Sequence, residues 1–189
     1  FPNSFLRETE LFITEISFQT IMIFIGITLL MSAISIINQI TDKKTDEINN
    51  KVFLLNKGFS IKLAEDIQKF LFIISLLILL IFDWRIMLVS IIITIIGFLY
   101  NKEPYEFKKK PLAGLLCNCL FCFFILVAGF IHSTNSLFQL FEIKFFIYSI
   151  PYLFLFAAVS ILVNIPDING DKESGRNTLV IKIGKNNSI

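Results

Sequence analysis

Long uncharged runs alternate with short charged connectors along this chain. Residues 16–37 (22 residues), 70–82 (13), 86–100 (15), 111–131 (21) and 145–165 (21) contain no Asp, Glu, Lys or Arg. A helix needs about 20 apolar residues to cross hydrocarbon, so the first, fourth and fifth runs qualify outright. Asp83-Trp84-Arg85 divides the two shorter runs. One continuous helix would strand Asp83 and Arg85 in hydrocarbon at about 3 kcal/mol each. A tight hairpin instead places them at the interface, with Trp84 as an aromatic anchor. The pattern therefore predicts a hairpin whose first arm lengthens backwards through Ile61-Lys62-Leu63-Ala64. The expected fold class is all-α, a polytopic transmembrane bundle with five visible spans.

Charge sets the orientation. With five spans, the connectors 42–61 and 101–110 and the tail 166–189 share one side. Together with Lys62 and Lys69 they hold 14 of the 17 basic residues. The other side keeps Arg7, Arg85 and Lys144 beside Glu8, Glu10, Glu15, Asp83 and Glu142. By the positive-inside pattern the first side is cytoplasmic, which makes the chain an integral, multi-pass membrane protein. Composition agrees: 55% of residues are hydrophobic, 14% aromatic and 17% charged. A net charge of +2 with no basic stripe among aromatics gives no footing for nucleic acid. No internal repeat or low-complexity linker is visible, so residues 1–189 read as one membrane domain. Because the chain starts at Phe1 rather than Met, it is expected to be a piece of a longer protein.

Two acidic constellations carry the chemistry. Asn38, Asp42 and Asp46 recur every four residues. Each step turns a helix only about 40° past a full turn, so the three side chains line one face. Asp167, Asp171 and Gly175 repeat that spacing 125 positions later, directly behind the last apolar run. Both stretches fall on the cytoplasmic side, so four carboxylates can converge at one mouth of the bundle. Converging carboxylates stay ionised together when a cation sits between them. Magnesium suits such a donor set, taking a few carboxylates, waters and the oxygens of a bound phosphate. Lys43, Lys44, Lys51, Lys172 and Arg176 would meet the remaining phosphate charge. A diphosphate bound at a membrane mouth implies a lipid-tailed one, with the ion stabilising the departing pyrophosphate.

The same residues resemble the UbiA-type intramembrane prenyltransferases, which carry NxxxDxxxD after their second helix and DxxxDxxxG after their sixth. Here these are NQITDKKTD (38–46) and DINGDKESG (167–175). The longer stretch NQITDKKTDEINNKVFLLNKG is similar to the homogentisate-type branch, NQxxDxxxDxxNKPxLPLxxG, with Gln39 and Asn49 among the matches. IPDINGDKESGRNTLVIKIG resembles IPDIxGDxxxGxxTLxVxLG, and YNKEPYEFKKKP is similar to the YSxPPxxLK stretch at Tyr100, Pro104 and Lys108. Asn118 falls where the family often has Asn. One departure is Phe53, where many members place a basic residue; Lys51 or Lys57 would substitute.

The resemblance implies a bundle of about nine helices, of which this chain covers the second to the sixth. It implies transfer of a prenyl group from a prenyl diphosphate to an aromatic or other lipid-soluble acceptor, slightly favouring a quinone-type one. Asp42, Asp46, Asp167 and Asp171 would hold Mg2+, with Asn38 assisting. Lys108 and Arg176 would contact the diphosphate, and Tyr100 would help close the site.

Other features have plainer readings. Cys117, Cys119 and Cys122 point around a helix without a His partner, which suits apolar filler better than a metal. His132 stands alone at the far interface, and the aromatic run 145–156 suits lipid contact or packing. A CDP-alcohol phosphotransferase would carry one contiguous acidic stretch instead of two. A coupled transporter would place charge at mid-membrane. A non-catalytic scaffold or cation-handling protein with an acidic mouth is the alternative from another functional class.

Overall fold

The computed structural model of the chain describes residues 16–51 and 54–184. Seven α-helices follow in order: α1 (Phe18–Ile48), α2 (Ile61–Phe82), α3 (Trp84–Asn101), α4 (Pro111–Thr134), α5 (Ile143–Asn164), α6 (Ile168–Glu173) and α7 (Leu179–Ile183). Short 3₁₀ turns occupy Leu54–Lys57, Phe107–Lys109 and Phe138–Phe141. Among the described residues there is no strand, as the sequence leads one to expect.

The first five helices run up and down. At one end the starts of α1 and α3 meet the ends of α2 and α4. Gln19 Nε2 donates to the Phe82 carbonyl at 2.8 Å, and Thr20 Oγ1 lies 2.9 Å from His132 Nε2. Arg85 reaches Asn135 at 2.8 and 2.7 Å. The opposite end gathers the end of α1, the end of α3, the Phe107–Lys109 turn and α6. The residues expected to hold the site lie there, while the N-terminal charges from Arg7 to Glu15 fall outside the described residues.

The hairpin expected at Asp83 is present. Asp83 closes α2 through its N–H, which donates to the Leu79 carbonyl at 2.8 Å. It also opens α3, its Oδ1 accepting from the Arg85 N–H at 3.0 Å. Arg85 clasps the same carboxylate at 2.9 and 2.7 Å. Burial acts to raise the Asp83 carboxyl, but these hydrogen bonds from Arg85 hold it below the ordinary range. The exposed Trp84 sits beside it.

Four helices, α1, α3, α4 and α5, are long and apolar enough to cross a bilayer, not the five expected. Helix α2 has 22 residues, as many as α5. Its first half carries Lys62, Glu65, Asp66 and Lys69, which leaves only 70–82 free of charge. The longest helix, α1, has 31 residues. At 1.5 Å per residue it is about 46 Å long, some 16 Å more than the hydrocarbon it would cross. That excess carries Asp42 and Asp46.

The core knits α1 to α4 around Leu30, Leu79, Ile86, Ile93 and Ile131, all wholly buried. Phe145 contributes from α5, which otherwise exposes most of its surface. A close approach joins α1 to α2 at Gly26. Ser75 Oγ donates to the Gly26 carbonyl at 2.7 Å, and a Cβ added at Gly26 would lie 2.7 Å from Leu79 Cδ2. Small residues and hydroxyls of this kind let membrane helices touch backbone to backbone. Leu79 is fully buried and has nowhere to swing. Gly26→Ala is therefore expected to destabilise the bundle by about 1–3 kcal/mol, read as earlier unfolding in a detergent–denaturant titration.

Candidate functional site

The first motif lies entirely on α1, where Asp42 and Asp46 are buried and Asn38 half-buried. The helix ends in a Schellman turn built by the sequence Ile-Asn-Asn-Lys. Asn50 adopts a left-handed conformation with φ of 55°, which Asn tolerates better than most residues. The Lys51 N–H then donates to the Asp46 carbonyl at 2.9 Å, and the Asn50 N–H to the Glu47 carbonyl at 3.1 Å.

The second motif is divided between a cap and a helix. Asp167 stands at the N-cap of the six-residue α6, and Asp171 lies inside it. The end of α6 repeats the first turn bond for bond. Gly175 takes the left-handed position with φ of 73°. The Arg176 N–H donates to the Asp171 carbonyl at 2.8 Å, and the Gly175 N–H to the Lys172 carbonyl at 3.1 Å. Each turn thus sets a basic residue five positions after the last Asp and folds it back beside that Asp. The sequence shows a shared acidic spacing; the structure shows a shared turn as well.

The bases pair both at home and across. Lys51 Nζ lies 3.4 Å from Asp46 and 2.7 Å from Asp167 of the other motif. Arg176 lies 3.4 Å from Asp171 and also pairs with Asp42 of the first motif. Lys108, from the Phe107–Lys109 turn, is buried and makes a third link. Its Nζ is 2.5 Å from Asp42 Oδ1, 2.5 Å from Thr41 Oγ1 and 3.3 Å from Asn101 Oδ1. Burial pushes the Lys108 ammonium below its ordinary value despite Asp42 beside it, with Arg176 adding to the depression. Burial also acts to lower Lys51, but Asp167 and Asp46 outweigh it and raise the group overall.

One cavity of about 560 Å³ receives these groups. Asn38, Asp42, Asp46, Lys51, Tyr100, Lys108, Asn118, Asp167, Asp171 and Arg176 all border it. Lys172 is exposed and does not, nor do Lys43 and Lys44; Phe53 lies outside the described residues. Deeper walls are apolar, with Met31, Ile34, Phe121 and Phe156. Met31 lies about 17 Å up α1 from Asp42 at the helical rise. Asn118 donates to Ser160 Oγ at 2.7 Å and lines the same cavity as Tyr100, whose ring packs edge-on to Phe121. Thr41, Asn101 and Ser160 were not singled out from sequence. Thr41 could have been, since it lies three residues after Asn38 on the same face. The three cysteines are free, with Cys117 and Cys122 buried.

Among the described residues no three acidic, His or Cys side chains stand close enough together to hold a metal ion, because basic side chains interleave with the carboxylates. The donor chemistry nevertheless suits a hard cation: four carboxylates at one cavity, with Asn38 Oδ1 and Asp167 Oδ1 buried and making no hydrogen bond. Burial raises the Asp171 carboxyl above its ordinary 3.8, and this outweighs Arg176. A carboxyl raised in the folded state contributes stability that is full below 3.8 and is lost as pH rises through the folded value. Asp171→Asn is therefore expected to melt at a higher temperature than the parent at neutral pH, without ligand. A thermal scan across pH should show the gain shrinking as pH falls towards 3.8.

Comparison with known proteins bears on the same residues. A curated relative, the 1,4-dihydroxy-2-naphthoate octaprenyltransferase of Bacillus subtilis (strain 168), is 29% identical over 108 residues. That alignment covers 57% of this chain, and the chain spans 33% of the relative's length. The relative's name carries a naphthoate, not the homogentisate of the branch whose motif spelling the sequence resembles. No solved structure matches the chain. Residues 11–189, which include both acidic motifs, the Lys108 turn and all seven helices, match the UbiA prenyltransferase family. The chain belongs to that family.

Proposed function

We propose that the motif end of this bundle binds a prenyl diphosphate with magnesium and transfers the prenyl group to a lipid-soluble acceptor. The observation carrying this reading is the cross-paired mouth. Two acidic turns 125 residues apart share one cavity with Lys51, Lys108 and Arg176, and that cavity continues into an apolar interior. Asp42, Asp46, Asp167 and Asp171 would hold the magnesium, which when bound neutralises charge growing on the leaving diphosphate. Lys51, Lys108 and Arg176 would exchange carboxylate partners for phosphate oxygens. Arg176 offers a two-pronged donor and the lysines point charges.

In the reaction, the bond between the allylic carbon and the diphosphate oxygen breaks, and its electron pair leaves with the diphosphate. An acceptor carbon then supplies the electron pair for the new bond and loses its proton. Tyr100 and the apolar wall of Met31, Ile34, Phe121 and Phe156 would keep water from the allylic cation. The relative's name supports an aromatic, quinone-type acceptor. The excess of Lys and Arg in the connectors supports a cytoplasmic position for the mouth.

Binding of geranylgeranyl thiolodiphosphate, which does not ionise, tests the reading in detergent-purified protein. Affinity is expected to require magnesium. Asp42→Asn and Asp167→Asn should each weaken it by at least about 30-fold, the equivalent of ~2 kcal/mol for breaking a buried charged contact. Binding that ignores magnesium and both substitutions would overturn the proposal and favour a non-catalytic scaffold.

A further inference from the structure

Helix α6 is capped in an unusual way. An Asp at an N-cap ordinarily turns its carboxylate back onto the backbone N–H two or three residues on. Asp167 holds that position but makes no side-chain capping bond. Its Oδ2 goes to Lys51 at 2.7 Å, and its buried Oδ1 makes no hydrogen bond. The amide it would cap, Gly170 N–H, donates instead to Asn49 Oδ1 at 2.8 Å. Asn49 lies 121 residues earlier, at the C-cap of α1. Its Nδ2 also donates to the Asp167 carbonyl at 3.5 Å. Gly170 leaves room for this. A Cβ there would lie 2.6 Å from Asn49 Cγ, inside any tolerable contact.

We infer that Asn49 caps α6 in place of Asp167, and that this substitution releases the Asp167 carboxylate for the ligand in the cavity. Asn49 is then a positioning residue. It does not border the cavity, yet it ties the end of the first motif to the start of the second. Gly170 is its required partner, since any side chain at that position displaces the Asn49 amide. The inference rests on the proposed binding of magnesium and a prenyl diphosphate.

The test is a magnesium titration at saturating geranylgeranyl thiolodiphosphate, on the full-length protein in detergent. It compares the parent with Asn49→Ala, Gly170→Ala, the double variant and Asp42→Asn. Asn49→Ala is expected to raise the magnesium midpoint about 10- to 100-fold, the usual effect of losing a group that orients a metal ligand. Full stoichiometry should return at high magnesium, because every ligand is still present. Gly170→Ala should do the same alone, yet add less than about twofold on top of Asn49→Ala, since both break one contact.

An effect on folding alone would lower the bound fraction and leave the midpoint in place, and that result overturns the inference. So do an unchanged midpoint in Asn49→Ala and a Gly170→Ala cost that is equal in both backgrounds. Loss of binding in Asp42→Asn without a shift in Asn49→Ala overturns this inference alone. A parent without magnesium-dependent binding overturns it together with the proposed function.

Discussion

Burying ionised groups at the end of an apolar bundle is costly, and the rest of this structure follows from how that cost is met. Each ion taken from water loses several kcal/mol of hydration unless close partners of opposite charge replace it. Here Asp42, Asp46, Asp167 and Asp171 are interleaved with Lys51, Lys108 and Arg176. The pairs that matter most run between motifs: Lys51 to Asp167 and Arg176 to Asp42. Neither motif can settle without the other. The closure of the α1 end against α6 is therefore electrostatic, while the body of the bundle is held by apolar packing and the close contact at Gly26.

This division of labour explains the shape of the site. Apolar helices fix the walls, and α1 alone is long enough to carry two carboxylates beyond the hydrocarbon. The Phe107–Lys109 turn delivers one lysine under them, where Thr41, Asn101 and Asp42 surround its ammonium. A paired mouth above an apolar interior suits an amphiphilic ligand with a charged head and a long tail. It also lets the protein change partners without changing its charge, since phosphate oxygens can replace carboxylate oxygens around the same bases.

Much of this was legible in the sequence. Uncharged runs locate the helices, and Asp83 betrays the hairpin because a carboxylate in hydrocarbon is dear. The four-residue acidic spacing marks one helix face in α1. What the sequence conceals is pairing at long range. Nothing in IPDINGDKESG says that Asp167 gives up its own helix, or that an Asn 118 residues earlier reaches its carbonyl. Helix α2 carries the chain back between α1 and α3, yet its apolar run 70–82 is shorter than a span needs, because its charged first turns emerge at the same end as the site. Ser160 was invisible for the opposite reason: a single hydroxyl in an apolar helix looks like filler until Asn118 is found beside it.

The two Schellman turns differ in every residue between acid and base: Glu47, Ile48, Asn49 and Asn50 in one, Lys172, Glu173, Ser174 and Gly175 in the other. What they hold in common is an interval. The carbonyl of the acid and the amide of the base close the turn themselves, so the backbone acts as a ruler, provided the residue before the base, Asn50 or Gly175, accepts a left-handed conformation. Such a device is set by length as much as by spelling. A lost or gained residue inside either interval would swing the base away from both of its acids at once.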